Sequence, residues 1–422
     1  MESPLTHDRF PALYVRDFRI FWIGQLISFS GTWMQSTAQG WLVYSLTKSP
    51  LYLGLVAAAS SLPVLFFTLI GGVVADRLMK RRLLVITQTL SMLPALALAV
   101  LINLKLVTVW QIMLFATLLG TVNAFDVPAR QAFLVEMVQK GRLLNAIALN
   151  SAAFNGARII GPFFAGLTIA SIGVAACFYV NAASFLAAIV ALLMIRAEGE
   201  TGKGVFLKPL GESGGSGRRS AFVRDLREGL SFVAGGRDIS RILLLVATFS
   251  LLGIPFITLL PVFAEDILNV GPRGLGILAG ASGLGALTAA AFIAFKGEVA
   301  KKGRLMTTSG LIFGAALLAF ALSREYGVSI VILILAGWGM VSFLAVANSV
   351  IQLGTPDALR GRVMSVYAFV FLGIAPAGNA LMGSVAHAIG TGRAVSIGSL
   401  LCFFAVLLSS KRLRAMDEEK RS

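Results

Sequence analysis

The chain has 422 residues, of which 57% are hydrophobic and only 13% charged, where a soluble domain carries about 25% charged residues. That balance excludes a soluble globular protein, and it excludes a disordered one, because so apolar a chain collapses in water. The 36 Lys+Arg against 20 Asp+Glu leave +16, a charge that indicates nucleic acid or anionic lipid according to where the cations lie. Two cysteines in apolar runs, Cys177 and Cys402, and two distant histidines, His7 and His387, support neither a disulfide framework nor a zinc site. No metal or cofactor is expected.

Residues 1–17 are polar and contain no apolar core of a signal peptide, so the first apolar run is expected to stay in the mature protein. A membrane helix needs about 20 largely apolar residues to cross a hydrocarbon core roughly 30 Å thick. Twelve runs meet that need. Six come first: Phe18–Leu46, Leu51–Ala75, Leu83–Leu104, Val109–Val135, Leu143–Ile172 and Val174–Ile195. Six follow: Ile242–Ala264, Gly274–Phe295, Leu305–Leu322, Val328–Leu353, Val363–Ile389 and Ala394–Ser410.

An even number of spans puts both termini on one face, and the cations say which. The loops on the other face hold only Lys48, Lys105, Arg273, Arg324 and Arg393; Arg130 and Arg158 sit inside spans, and the remaining 29 of the 36 Lys+Arg flank the termini face. Cytoplasmic loops retain positive charge, so the termini are expected inside, at a bacterial inner membrane. The basic balance is then explained by anionic lipid, and no nucleic acid is expected.

Residues 197–240 differ in kind. They are rich in Gly, Ser and charge around Gly211-Glu212-Ser213-Gly214-Gly215-Ser216-Gly217 and read as a flexible linker between domains 1–196 and 241–422. In the second part Phe222, Leu226, Leu230 and Val233 recur at near-helical spacing, which predicts an amphipathic helix on the inner membrane surface.

The two domains repeat one another. Arg16-Asp17-Phe18-Arg19 returns as Arg237-Asp238-Ile239-Ser240-Arg241, and Leu53-Gly54-Leu55-Val56-Ala57-Ala58-Ala59-Ser60 as Leu275-Gly276-Ile277-Leu278-Ala279-Gly280-Ala281-Ser282, 222 residues later. Lys140-Gly141-Arg142 matches Arg360-Gly361-Arg362 at an offset of 220. Six spans per repeat keep both halves in one orientation, which is the parallel-repeat plan of transporters with a site between the halves.

Ionisable and polar groups within spans mark function by default. Asp126 is the one carboxylate well inside a span. Asn123, Asp126 and Arg130 share a face of span four, and Ser151, Asn155 and Arg158 share a face of span five. An Asp126–Arg130–Arg158 network follows, in which Asp126 is the natural proton carrier. The same residues also fit a static pair, Asp126 with Arg130, that locks spans four and five, and Pro128 leaves open an early end to span four. Span one carries Gln25, Ser28, Thr32, Gln35 and Gln39 as one polar stripe, with Trp33 and Trp41 flanking it as stacking surfaces or, for Trp41, an interfacial anchor. Such a stripe calls for water or a solute, though hydrogen bonding between helices alone would also satisfy it.

The end of span two reads Gly72-Val73-Val74-Ala75-Asp76-Arg77-Leu78-Met79-Lys80-Arg81-Arg82. It resembles motif A of the major facilitator superfamily, with Met79 where the family usually has Gly. Gly161-Pro162-Phe163-Phe164-Ala165-Gly166 resembles that superfamily's antiporter motif, with Ala165 in place of one Gly and Ala157 where an upstream Gly is usual. Asp126-Val127-Pro128-Ala129-Arg130-Gln131 and Asp225-Leu226-Arg227-Glu228-Gly229-Leu230 resemble the branch of macrolide effluxers, enterobactin exporters and drug:proton antiporters. The resemblance spans the chain and implies an all-α membrane protein of twelve helices in two six-helix bundles.

Motif A, with Gly72 and Arg81 among its residues, fits a gate latch in which Asp76, at a helix C-terminus whose dipole opposes it, needs a cation or another helix's N-terminus nearby, with Arg77, Lys80 and Glu136 as candidates; the same cluster also fits an anchor that only holds the loop at the membrane surface. Because spans one, four, seven and ten line the cavity in this superfamily, the resemblance places Gln25, Ser28, Thr32, Trp33, Gln35 and Asn123 together with Trp338, Asn348 and Gln352 of span ten at a substrate, and Asn155 of span five is a further candidate for the same cavity. The expected function is proton-coupled export of a hydrophobic or amphiphilic small molecule by a monomeric carrier, or, on the same fold, a lysolipid flippase or an uncoupled facilitator or importer. No enzyme is expected. The chain contains no HExxH and no phosphate-binding loop ending in Lys-Ser or Lys-Thr.

Overall fold

The computed structural model describes residues 11–195, 228, 230–296 and 301–419, and these are helical with no strand. After a short 3-10 turn, Pro11–Tyr14, come α1 (Arg16–Thr47), α2 (Pro50–Arg77), α3 (Lys80–Asn103), α4 (Val109–Met137), α5 (Lys140–Ser171) and α6 (Val174–Met194). The second set is α7 (Arg237–Ile267), α8 (Gly271–Lys296), α9 (Lys302–Leu322), α10 (Tyr326–Leu353), α11 (Leu359–Ile389) and α12 (Thr391–Glu419). Ten of the twelve are long and apolar enough to cross a membrane on those grounds alone; α1 and α5 are not among them. Those two helices carry Gln25, Ser28, Gln35, Asn150, Asn155 and Arg158, so the polarity that lowers their apolar score is the polarity of the site.

Local chemistry sets the helix ends. Thr108 and Gln111 form a reciprocal capping box at the start of α4, with the Thr108 N–H donating to Gln111 Oε1 at 2.8 Å. Pro50 opens α2, where its missing N–H has no cost. The turns α5–α6 and α11–α12 are each reversed by a glycine at positive φ, Gly173 (103°) and Gly390 (92°). Helix α4 continues through Pro128 to Met137. Helices α7 and α11 both contain π-helical turns, at Phe249–Gly253 and Phe263–Ile267 in α7 and at Phe369–Gly373 in α11. Ser250 in one bulge donates to the carbonyl of Phe371 in another at 2.6 Å.

In the first half α1 packs on α5 and α6, and α2 on α4, with α3 against α4 and α6. In the second half α8 packs on α10, and α9 on α10 and α12. The repeat holds atom for atom at one crossing. A Cβ on Gly120 would lie 2.0 Å from the Ser60 carbonyl oxygen, and one on Gly337 would lie 2.1 Å from the Ser282 carbonyl oxygen, so in both halves only glycine lets the helix pair approach this closely.

The two halves are filled differently. The second has one continuous apolar core, centred on Phe249 stacked on Phe343 with ring centroids 4.2 Å apart and on Phe313 at 4.9 Å. The first has two separate main cores, one around Met34, Leu42 and Phe178 and one around Phe18, Phe21 and Phe133. Gln25, Ser28, Thr87, Gln88, Asp126 and Asn181 are all buried on helices that these two cores share. Large apolar side chains such as Phe66, Leu93 and Leu408 cover the outside, as a hydrocarbon solvent requires.

Contacts between the halves run along α5 with α8 and α2 with α11. Of the linker expected over 197–240, residues 197–227 and 229 lie outside the described residues, as do Phe222 and Leu226 of the amphipathic pattern. Among the described part, Glu228 pairs with Arg362 at the start of α11, and Phe232 and Val233 pack against the second-half core.

Candidate functional site

Asp126 on α4 is 1% exposed. Its Oδ1 accepts from Thr87 Oγ1 at 2.6 Å and from Gln88 Nε2 at 2.8 Å, both on α3, and its Oδ2 pairs with Arg130 one turn along α4. Arg130 in turn donates to Gln25 Oε1 on α1 and lies over the Phe29 ring, 4.7 Å from its centroid. Ser28 Oγ donates to Gln88 Oε1 at 3.2 Å. One carboxylate therefore gathers three helices into a buried polar network, which is the condition under which a charge survives away from water.

This network lines a cavity of about 640 Å³ whose walls all belong to the first half, including Thr32, Trp33, Gln35, Asn123 and Asn155. Gln35 accepts from Asn181 Nδ2 at 2.7 Å, and Asn155 Nδ2 donates to the Ser151 carbonyl at 2.8 Å. The stripe on α1 thus points inward along its length. Gln25 and Ser28 are tied into the Asp126 network, Thr32 and Gln35 face this cavity, and Gln39 faces a second one of about 170 Å³ between the halves.

Arg158 does not join the network. No ion pair or hydrogen bond to its guanidinium is found among the described residues, and it lies over the Trp33 ring, 5.7 Å from the centroid, in the wall of the smaller cavity. Phe154 is the reason: it meets Phe29 edge-on at 5.4 Å and Trp33 at 5.8 Å, so an aromatic cluster with Arg130 on one member and Arg158 on another separates the two cations.

The α10 residues stand apart too. Trp338, Asn348 and Gln352 line neither cavity: Trp338 packs on Phe292 at 5.9 Å, and Gln352 Nε2 donates to Asn348 Oδ1 at 2.5 Å. The close Gly337 crossing fixes the rotation of α10. Sequence reasoning missed Thr87, Gln88 and Asn181, although their polarity within apolar runs was a usable signal.

The far face, opposite the termini, is closed. A Cβ on Gly54 would lie 2.3 Å from the Asn379 carbonyl oxygen and 3.0 Å from Gly383 Cα; one on Gly276 would lie 2.5 Å from the Pro162 carbonyl oxygen and 3.0 Å from Gly166 Cα. The antiporter-like segment makes one of these two seals, and its Gly161 lets α5 press on Trp33 and Met34 of α1. Polar straps cross the same face: Tyr44 donates to Asp266, Lys48 pairs with Glu265 at 3.1 Å, and Ser49 Oγ and His387 Nδ1 lie 3.2 Å apart.

On the termini face, Gly72, Gly141 and Gly361 have nothing within 4 Å of an added Cβ among the described residues. Lys80 pairs with Glu136 at 2.7 Å, and Arg81 donates to the Leu192 and Leu193 carbonyls at 2.8 Å, favourable for a cation at the C-terminus of α6. Asp76 and Arg77 are exposed, and Asp76 has no hydrogen bond or ion pair among the described residues.

Two pseudo-symmetric helix bundles around inward-facing polar walls, sealed at the far face, define a membrane carrier of the major facilitator superfamily. Residues 9–422 match the family of transmembrane secretion effectors, and the chain belongs to that family. It is 29% identical over 397 residues to the multidrug efflux pump Tap of Mycolicibacterium fortuitum, covering 92% of this chain and 94% of that one. It is 26% identical over 408 residues to the staphyloferrin A transporter of Staphylococcus aureus, covering 95% and 98%. A bacterial homologue of the human lysosomal transporter Spinster, solved inward-facing and unoccupied, superposes with a TM-score of 0.72 at 14% identity over 96% of this chain and 98% of that one, a likeness of fold.

Proposed function

We propose that the protein is a proton-coupled exporter of amphiphilic small molecules in the bacterial inner membrane, with both termini cytoplasmic and the open face toward the cytoplasm. The supporting observation is Asp126, a carboxylate buried in a cavity wall and bound to Arg130 and Gln88. Protonation turns Asp126 from an acceptor into a donor, releases Arg130 from its ion pair and changes the wall that a substrate touches, so proton and solute share one site. The relative named as a multidrug efflux pump supports outward movement of a small organic solute, and the one named as the staphyloferrin A transporter supports a small organic solute without giving a direction.

The energetics are sufficient. A hundredfold solute gradient costs about 2.7 kcal/mol, and one charge crossing 100 mV supplies about 2.3 kcal/mol, so one or two protons suffice. In this reading Asp76 is half of a latch that engages when the termini face closes, and its exposure belongs to the open state.

The test is uptake of a neutral fluorescent dye, Nile red, into inverted membrane vesicles energised by respiration. Uptake should require the wild-type chain and stop on adding a protonophore. Uptake that persists with the protonophore makes the protein an uncoupled facilitator.

A further inference from the structure

Equivalent residues of the two repeats line the smaller cavity in pairs: Leu53 with Leu275, Ala57 with Ala279, and Ser60 with Ser282. Arg158 breaks this symmetry. The seal glycines Gly166 and Gly383 and the turn glycines Gly173 and Gly390 share an offset of 217, and that offset sets Ala375 opposite Arg158. Arg130 is neutralised by Asp126; Arg158 has no carboxylate within ion-pair distance among the described residues, so the interior carries one uncompensated cation. A cation at this depth costs several kcal/mol unless an anion reaches it.

A second group in the same wall is also unsatisfied. Ser282 is 3% exposed, and its hydroxyl has no hydrogen-bond partner among the described residues. It lies on α8, across the interface from Arg158 on α5, where Gly283 approaches the Arg158 carbonyl to 3.1 Å from an added Cβ. Gln39 adds an amide to the same wall, and the rest of the lining is largely apolar, with Val56, Ile257 and Leu275. Trp33 and Ser36 border both cavities, so a solute can extend from the larger into the smaller.

We infer that the smaller cavity is an anion subsite, with Arg158 as counter-cation to a single carboxylate on a transported amphiphile, Ser282 as a second donor, and the apolar wall taking the adjoining ring or chain. One guanidinium among aliphatic side chains suits a monoanion. A phosphate monoester or a polyanion would require further cations, and a cationic amphiphile would be repelled. The two donors stand on opposite halves, so an anion held there bridges the halves and stabilises the far-face closure. This inference deepens the transport reading and rests on it for the word transported; the site itself is tested without any gradient.

The experiment is equilibrium binding to the full chain in lipid nanodiscs at neutral pH, using radiolabelled 1-naphthaleneacetate and its neutral isostere 1-naphthaleneacetamide. The wild type should bind the acid at least about tenfold tighter than the amide, the worth of one charge-assisted hydrogen bond. Arg158→Gln should erase that preference and leave amide binding unchanged, Arg158→Lys should retain part of it, and Ser282→Ala should weaken acid binding about threefold. The acid–amide comparison on the wild type needs no variant, so a variant that fails to fold does not protect the inference. Equal binding of acid and amide, binding of neither, or full displacement of the acid by 0.1 M chloride, about physiological ionic strength, overturns it. Loss of proton coupling in vesicles with the acid preference intact overturns the export reading alone.

Discussion

Gly276 on α8 rests on Gly166 of α5, and the two-fold relation between the repeats places Gly54 on Gly383 in the same way at the opposite edge of the far face. Two pairs of backbones touching at symmetric points are what hold this face shut. Small residues permit such contact, and no side chain longer than hydrogen fits without moving a helix.

Gly276→Ala therefore inserts a methyl 2.5 Å from the Pro162 carbonyl oxygen. Overpacking of this kind costs about 1–3 kcal/mol, enough to shift a closed–open equilibrium about five- to 150-fold. Labelling of a cysteine at Ala57 by a membrane-impermeant maleimide applied to the far side should accelerate by that factor, and dye transport should fall in parallel.

Tyr44→Phe removes the phenol that donates to Asp266 across the same face. A hydrogen bond to a charged group contributes about 1.5–3 kcal/mol, so labelling at Ala57 should again accelerate, by about tenfold or more. Lys48→Ala should do much less, because Lys48 is 57% exposed and its pair with Glu265 is a surface one.

Asp126→Asn removes the charge that neutralises Arg130 and keeps the side chain's shape. Breaking a buried pair costs about 3–5 kcal/mol, and the thermal unfolding midpoint of the purified protein should drop accordingly while membrane insertion persists. Proton-driven dye transport should vanish. The double variant Asp126→Asn/Arg130→Gln should recover much of the lost stability and none of the coupling; unchanged drug resistance in the single variant would count against a role for this carboxylate in coupling.

Asp76→Ala should slow transport about tenfold and leave substrate affinity within about twofold, the signature of a lost conformational contact rather than a lost ligand contact. Asp76 is exposed and has no partner among the described residues, so the proposed latch requires its partner to form on closure. Equal losses in affinity and rate would move Asp76 from the gate to the binding site.

The helices were legible because an apolar run of membrane length has few alternatives, and the Asp126–Arg130 pair because i, i+4 positions share a helix face. The repeat was legible in Leu53–Ser60 and Leu275–Ser282, and its consequence, a doubled seal, appears only when Gly54 and Gly276 are seen against Gly383 and Gly166. Arg158 was misplaced because its direction depends on Phe154 wedged between Phe29 and Trp33, a contact between helices with no local signature. Asn348 and Gln352 of α10 line neither of the two cavities described, because the rotation of a helix about its axis is set by its neighbours. The split apolar core of the first half, which makes room for Thr87, Gln88 and Asp126, likewise emerges only from packing.

The central claim is that the halves rock about this polar seam, opening one face as the other closes. Spin-label pairs at Ile172 with Arg273 on the far face and at Leu144 with Phe295 on the termini face, all exposed positions, report the two gaps by double electron–electron resonance in nanodiscs. Titrating from alkaline to acidic pH with Asp126 intact should lengthen the first distance and shorten the second, and Asp126→Asn should remove that pH dependence. Two distances that stay fixed, or that lengthen and shorten together, would contradict the account.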